Sequence, residues 1–237
     1  MMDIPEFYIL GLPIETEIGE CQFIKVKDYP DYFNDLQIIS LSKDHLIYKY
    51  GQLNKNGKLD EFIAELNKLT LFEIATNLPE LQQSYYRVLV KVFNTEEVLK
   101  HIHQDNFDNF RKLIMTMNCL KEEEINPNPE IQRALERSRR VKAQEKEKLT
   151  FADMCSSVVG FNGLTYQDIN EFTIYQLYMT YYRIAHIKNY DTTTLFKTVS
   201  NDVKIDSWSK HINLFEEENH FIDYKKFKKQ TGSVFEE

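Results

Sequence analysis

The sequence predicts a mainly α fold, a multi-helix bundle with one small extended or β element near the N-terminus. Three observations carry this. The 237 residues include only 7 glycines and 6 prolines, too few turn residues for a sandwich or barrel of many short strands. Helix-start signals recur along most of the chain, and between them apolar residues repeat at a spacing of three and four. Hydrophobic residues make up 42% and charged residues 28%, ordinary for a globular chain and too apolar for wholesale disorder. Such a length can bury one large core or two small ones.

The first fifty residues are the least regular. GLPIETEIGE holds two glycines and a proline, and CQFIKVKDY is short and β-branched enough for a strand or extended arm around Phe23 to Val26, ahead of Pro30. The following YFNDLQIISLSKDHLIYKYG reads equally as two short helices or as a helix and a strand. Asn54 to Asp60 is a loop with Asn56-Gly57 as its turn.

Helical punctuation then becomes regular. Phe62, Ile63, Leu66 and Leu69 share one face. Thr70 with Glu73 forms a capping box, in which the Thr hydroxyl accepts from the third N–H and Glu reaches back to the cap. Pro79 sits in a first turn, where its missing donor costs nothing. Thr95 reads as the cap of a helix over EEVLKHIH, and Phe107, Phe110, Ile114 and Met117 give the face of the next helix. Pro127 and Pro129 exclude a continuous helix, and Asn128-Pro129 restarts one as N-cap and first residue.

The restarted segment, PEIQRALERSRRVKAQEKEKL, interleaves Arg and Lys with Glu around few apolar residues, predicting a long, largely solvated helix. Thr150 with Asp153 caps a small-residue helix ended by Gly160 or Gly163. The expected organisation is an N-terminal helical unit with a short extended arm over 1–125, a charged connecting helix over 126–148, and a C-terminal Tyr/Trp-rich helical unit over 149–237. The tail from Glu216 alternates charged blocks and is expected to fray at its end.

Composition narrows the function. A net charge of −8 weighs against binding nucleic acid over a broad face, since phosphate neutralisation supplies most of that affinity. Three widely spaced cysteines, Cys21, Cys119 and Cys155, with apolar neighbours and no CxxC, read as reduced core thiols of a host-cytoplasmic protein. MMDIPEF lacks a basic region followed by an apolar one, so no signal peptide is expected, and no run is long enough for a membrane span.

No chemistry emerges. His101 and His103 stand two apart on a helix, face different directions, and have no second cluster with ligand spacing, so no metal site is expected. A reactive thiolate wants an electropositive, accessible niche, which the neighbours of Cys119 and Cys155 do not offer. No GxxxxGK[ST] or GxGxxG appears, so no phosphate loop and no cofactor is proposed. The chain is not expected to be an enzyme.

The candidate residues are therefore partner-binding ones. Arg137, Arg139 and Arg140 lie in the basic run over 133–148, which suits an acidic protein surface or, as the alternative, the phosphates met by a nucleic-acid-associated or regulatory protein, although Glu136 and Arg140 stand at i,i+4 and suit a solvated, salt-bridged face. In the tyrosine-rich helix Ile174, Leu177, Tyr178, Tyr181 and Ala185 form one face while Phe172, Tyr175 and Tyr182 form a second. Two apolar faces on one helix mean burial or a partner, and Tyr175, Tyr182 and the single tryptophan, Trp208, are the candidates for contact or self-association.

The last third of the chain adds a resemblance. A helix opens on Thr165-Tyr166 with Asp168 and Ile169, carries Tyr178 and Arg183, breaks at Asn189-Tyr190-Asp191, and is followed by another helix and Trp208, Lys210, His211 and Ile212. This pattern resembles the C-terminal region of small tail proteins of phages of Gram-positive bacteria, encoded near the tape-measure gene and described as tail assembly chaperones. The resemblance implies a helical, non-enzymatic protein that holds the tape-measure helix soluble while tail tube subunits assemble, or else a structural virion component. The chain is longer than such proteins, and its N-terminal half has no counterpart in them.

Overall fold

The computed structural model describes residues 5–126, 128–145, 149–200 and 203–215. The charged tail from Glu216, Pro127 and the end of the connecting helix at 146–148 lie outside the described residues. The fold is mainly α, as the scarcity of turn residues predicts.

Helix α1 (Pro5–Leu10) leads into an antiparallel hairpin of β1 (Ile14–Thr16) and β2 (Gly19–Cys21), with Ile14 opposite Cys21 and Thr16 opposite Gly19. The hairpin thus precedes the stretch expected to be extended. Of that stretch, Lys25 is extended and forms an isolated bridge to Thr173, while Val26 already opens a 3-10 turn. Gly19, at φ +125, occupies the turn where a side chain would be strained.

After a 3-10 turn at Val26–Asp28, α2 (Tyr29–Ile39) and α3 (Lys43–Leu53) resolve the ambiguous stretch as two helices. Pro30 sits in the first turn of α2 and Ser42 caps α3, accepting from the backbone N–H of His45 at 3.1 Å. Helices α4 (Asp60–Lys68), α5 (Leu71–Asn77) and α6 (Pro79–Phe93) come next, α5 with the capping box of Thr70 and Glu73. Thr95 does cap, but the segment it opens, Glu96–Lys100, is a 3-10 helix rather than an α-helix. Helix α7 (Gln104–Met117) closes the N-terminal half.

These helices surround one core. Leu36 and Ile39 of α2, Ile74 of α5, Val88 and Val92 of α6, and Ile114 and Met117 of α7 are buried together. The α2–α6 seam carries a polar clasp: Asp35, 6% exposed, accepts from Ser84 Oγ at 2.8 Å and pairs with Arg87 at 3.0 Å. Buried carboxylates need such partners, since an unpaired one costs several kcal/mol.

Beyond α8 (Pro129–Glu145), the C-terminal helices return to the same core. They are α9 (Phe151–Asn162), ended by left-handed Gly163, α10 (Tyr166–Asn170) and α11 (Ile174–Lys197). Ile169, Ile174 and Leu177 are buried with the N-terminal residues. Three hydrogen bonds fix this junction: Val26 N–H donates to Phe172 O at 2.8 Å, Ile174 N–H to Ile24 O at 3.2 Å, and Gln176 Nε2 to Ile9 O at 2.9 Å.

The break expected at Asn189-Tyr190-Asp191 is absent, and α11 runs through it to Lys197. Asn and Asp are poor helix formers, but Thr192 and Thr193 turn their hydroxyls back onto the carbonyls of Lys188 and Asn189, so these polar side chains are satisfied inside the helix.

Candidate interaction surface

Helix α8 is built from its own capping residues. Asn128 Oδ1 accepts from the N–H of Glu130 at 2.9 Å, and Asn126 Oδ1 accepts from the N–H of Asn128 at 2.9 Å. The helix then lies against α3 through a polar face. Gln132 is 2% exposed; its Oε1 accepts from the N–H of Asn126 at 2.9 Å and its Nε2 donates to Glu136 at 3.4 Å. A hydrogen bond from the Tyr48 hydroxyl of α3 holds the Glu136 carboxyl below its usual range. Glu123, in the segment before α8, stands 3.6 Å from Arg139 and 3.4 Å from His45 Nδ1. Burial, with Lys49 nearby, lowers the His45 pKa against the opposing pull of Glu123. A groove of about 350 Å³ runs between α3 and α8, lined by these groups with Gln52 and Ile125.

The predicted residues of this helix fall on two sides of it. All three arginines are exposed, but Arg139 and Arg140 line the groove whereas Arg137 does not. The expected Glu136–Arg140 pair does not form: Tyr48 and Gln132 occupy the carboxylate, and Arg140 makes no ion pair among the described residues. The apolar residues of α8 are the ones left outside. Ile131 is 47% exposed, Leu135 42% and Val141 53%.

The aromatic candidates sit elsewhere, on and beside α11. Its first turns are covered: the Tyr175 ring lies 5.3 Å from that of Tyr8 on α1, so the second aromatic face is used by the chain itself at this level. Ala185, expected on one apolar face with Ile174 and Leu177, is exposed. Residues 203–215 lie back beside α11, where Arg183 Nη1 donates to the carbonyls of Trp208 at 2.6 Å and Lys210 at 2.9 Å. Ile212 is buried there, and Leu214 joins Tyr29, Cys119, Tyr178 and Tyr182 around a hollow of about 250 Å³. Tyr182 rims this hollow, and the Trp208 side chain stays half exposed. At the far end of α11, Leu195, Phe196 and Val199 project into solvent, Val199 at 82% exposure.

The thiols are protonated; Cys21 is a buried core group, while Cys119 and Cys155 are partly exposed. Burial pushes Cys21 up to about 12 and Cys119 still higher, and the Cys21 thiol lies 3.6 Å from Met117 Sδ. His103 plays a structural part, since its backbone N–H donates to Asn106 Oδ1 at 2.9 Å in a capping box that opens α7. No three His, Cys, Asp or Glu side chains converge as metal ligands would among the described residues. None of the helices there is long and apolar enough to cross a membrane.

Two residues that shape this region escape a reading of the sequence. Gln132, the anchor of α8, has no local signature. Arg111 is 5% exposed and donates from Nε to Ile39 O at 2.9 Å and from Nη2 to Leu41 O at 3.1 Å, while Nη1 pairs with Glu122. It caps the carbonyls ending α2 and fastens the segment that leads to α8. A signal exists for it: position 111 falls four after Phe107 and three before Ile114, a charge on the apolar face.

Comparison with known proteins places the chain plainly. Residues 2–127 match the family model described as the YomV N-terminal domain, and residues 142–213 match the YomV second domain. The "SPbeta prophage-derived uncharacterized protein YomV" of Bacillus subtilis (strain 168) is 43% identical over 226 residues, 95% of each chain. No solved structure matches.

Proposed function

The chain belongs to the YomV family, and on that footing we propose that it is a phage protein that works by protein–protein contact alone, as a tail assembly chaperone or related morphogenesis factor. The prophage origin of its Bacillus subtilis relative supports the phage setting. The observation that carries the mode of action is apolar surface left outside on two helices: Ile131, Leu135 and Val141 on α8, and Leu195, Phe196 and Val199 on α11 and just past its end. Adjacent apolar side chains at helical spacing are the features that seat a client helix. The tape-measure protein, a long helical client, is the partner this surface suits, and tail tube subunits would displace the chain as assembly proceeds.

Co-expression with the tape-measure protein of the same genome tests this. The expected result is that tape-measure fragments co-purify with the chain and gain solubility. If they do neither, a tape-measure chaperone is the wrong reading.

A further inference from the structure

Helices α5, α6 and α7 and the 3-10 segment Glu96–Lys100 meet around a largely apolar hollow of about 210 Å³. Its floor is made of core side chains: Ala75 of α5, Tyr85 and Leu89 of α6 and Phe107 of α7 are each no more than 5% exposed. Phe72 of α5 is half-buried beside them, and Leu99 of the 3-10 segment, 41% exposed, stands at the mouth. Val98 is buried next to Leu99 and pins that segment to the body, so the mouth is held by the fold.

The lining states what the hollow can take. It carries no charged side chain, so a charged group would leave water without gaining a counter-charge. Thr76 turns its hydroxyl back onto its own helix, donating to Phe72 O at 2.9 Å. The exposed Gln82 side chain has no hydrogen-bond partner among the described residues, and its amide can meet one polar group. Three of the lining residues are aromatic. The Phe72 ring stands edge-on to that of Phe107 at 5.4 Å, and the Tyr85 ring is tilted against Phe107 at 5.1 Å. A further ring among them meets both faces and edges, the arrangement aromatic pairs prefer. An apolar cavity of about 150 Å³ takes benzene, so this one takes a ring somewhat larger, of indole size.

We propose that this hollow is a binding site for one uncharged aromatic ring of indole size, seated against Phe72, Tyr85 and Phe107 with a polar substituent turned to Gln82. The ring arrives on a free small molecule or on the side chain of a partner, and the same chemistry recognises both. The site uses neither α8 nor α11 and goes beyond the contact function proposed above, so either can fail without the other.

The test titrates the full chain, carrying 13C-labelled methyl groups, with indole, cyclohexanol and N-acetyltryptophanamide. Indole should shift the methyl signals of Ala75, Leu89 and Leu99 saturably, with a Kd of about 1 mM or below. Cyclohexanol, a ring without π faces, should bind at least about threefold more weakly. Ala75→Leu fills the floor and should abolish indole binding. Leu99→Gln changes an exposed position, should leave the circular dichroism melt unchanged and should weaken indole at least about threefold, so it carries the test if Ala75→Leu does not fold. N-acetyltryptophanamide separates the sources: binding as tight as indole's supports a partner's side chain, and no binding supports a free small molecule. Three results would overturn the proposal: no saturable shift of these methyls up to about 10 mM indole, equal affinity for cyclohexanol, or indole affinity that Leu99→Gln leaves unchanged.

Discussion

Helices α6 and α8 begin alike and end up facing opposite ways. Both start on a proline in the first turn, both run for about four turns, and both space their apolar residues by three and four. On α6 that stripe, Leu81, Tyr85, Val88, Leu89 and Val92, is buried in the core. On α8 the large apolar residues Ile131, Leu135 and Val141 are exposed and a glutamine is buried instead. Periodicity therefore decides that a helix forms and which residues share a side. It does not decide which side goes inward. That depends on what the neighbouring elements offer: α2 and α5 present α6 with apolar faces, whereas α3 presents α8 with His45, Tyr48, Lys49 and Gln52.

The most forceful way to break the comparison is to truncate one leucine on each helix. Leu89→Ala removes a side chain that is 3% exposed and should destabilise the chain by about 2–5 kcal/mol. Leu135→Ala removes one that is 42% exposed and should stay within roughly 0.5 kcal/mol. Paired urea melts measure both. A Leu135 effect approaching that of Leu89 would mean that Leu135 is already packed within the protein.

The same contrast separates the parts of the fold that the sequence reveals from those it hides. The capping boxes at Thr70–Glu73, Thr150–Asp153 and Thr165–Asp168 are legible because each is settled within four residues. The box at Thr173–Gln176 is hidden because the tyrosine-rich run reads as continuous from Thr165. Arg137, Arg139 and Arg140 are visible as a basic cluster, but the side of their helix that meets α3 is not. Helix α8 has the composition of a solvated charged face, and only the burial of Gln132 shows which way it turns. A charge on the apolar face marks Arg111 locally, but its acceptors at Ile39 and Leu41, and the clasp of Asp35 with Ser84 and Arg87, join residues tens of positions apart, which no local pattern records.

A smaller effect should follow from Gln132→Ala. The substitution leaves the part-buried Asn126 N–H without its acceptor, at a cost of about 1 kcal/mol. The loss should be local. Amide exchange should speed up along α8 while the buried amides of α6 keep their protection, because α6 gains its stability from the core and α8 from Gln132 and the polar contacts of Glu136 and Arg139 beside it. Equal acceleration in both helices would show that α8 is cooperative with the core and that the two are not independently held.

The seat of α8 should also respond to acid. Burial lowers the pKa of His45 below its ordinary value near 6.5, with Lys49 and Arg139 adding to the effect while Glu123 and Glu136 oppose it. The unfolded chain then takes up a proton before the folded one does. Stability from neutral His45 is complete above the unfolded pKa and is lost as pH falls through the folded one. Wild type should therefore lose more Tm between about pH 7 and about pH 5 than His45→Gln does. Parallel losses would place the acid sensitivity elsewhere.

The weakest expected effect sharpens what holds the inner face of α8. Arg139 and Glu123 stand 3.6 Å apart, and their side chains are 52% and 57% exposed. Exposed pairs of this kind contribute about 0–1 kcal/mol, because water screens the attraction and two long side chains lose freedom. Arg139→Ala should then change stability by no more than a few tenths of a kcal/mol, and α8 amide exchange should stay close to wild type at both low and high salt. A salt-dependent loosening of α8 in this variant would assign the docking to charge. Its absence, together with the Gln132→Ala result, would assign it to the hydrogen bonds of Gln132 and of Glu136 with Tyr48, and would explain how a helix can be fixed by its polar side.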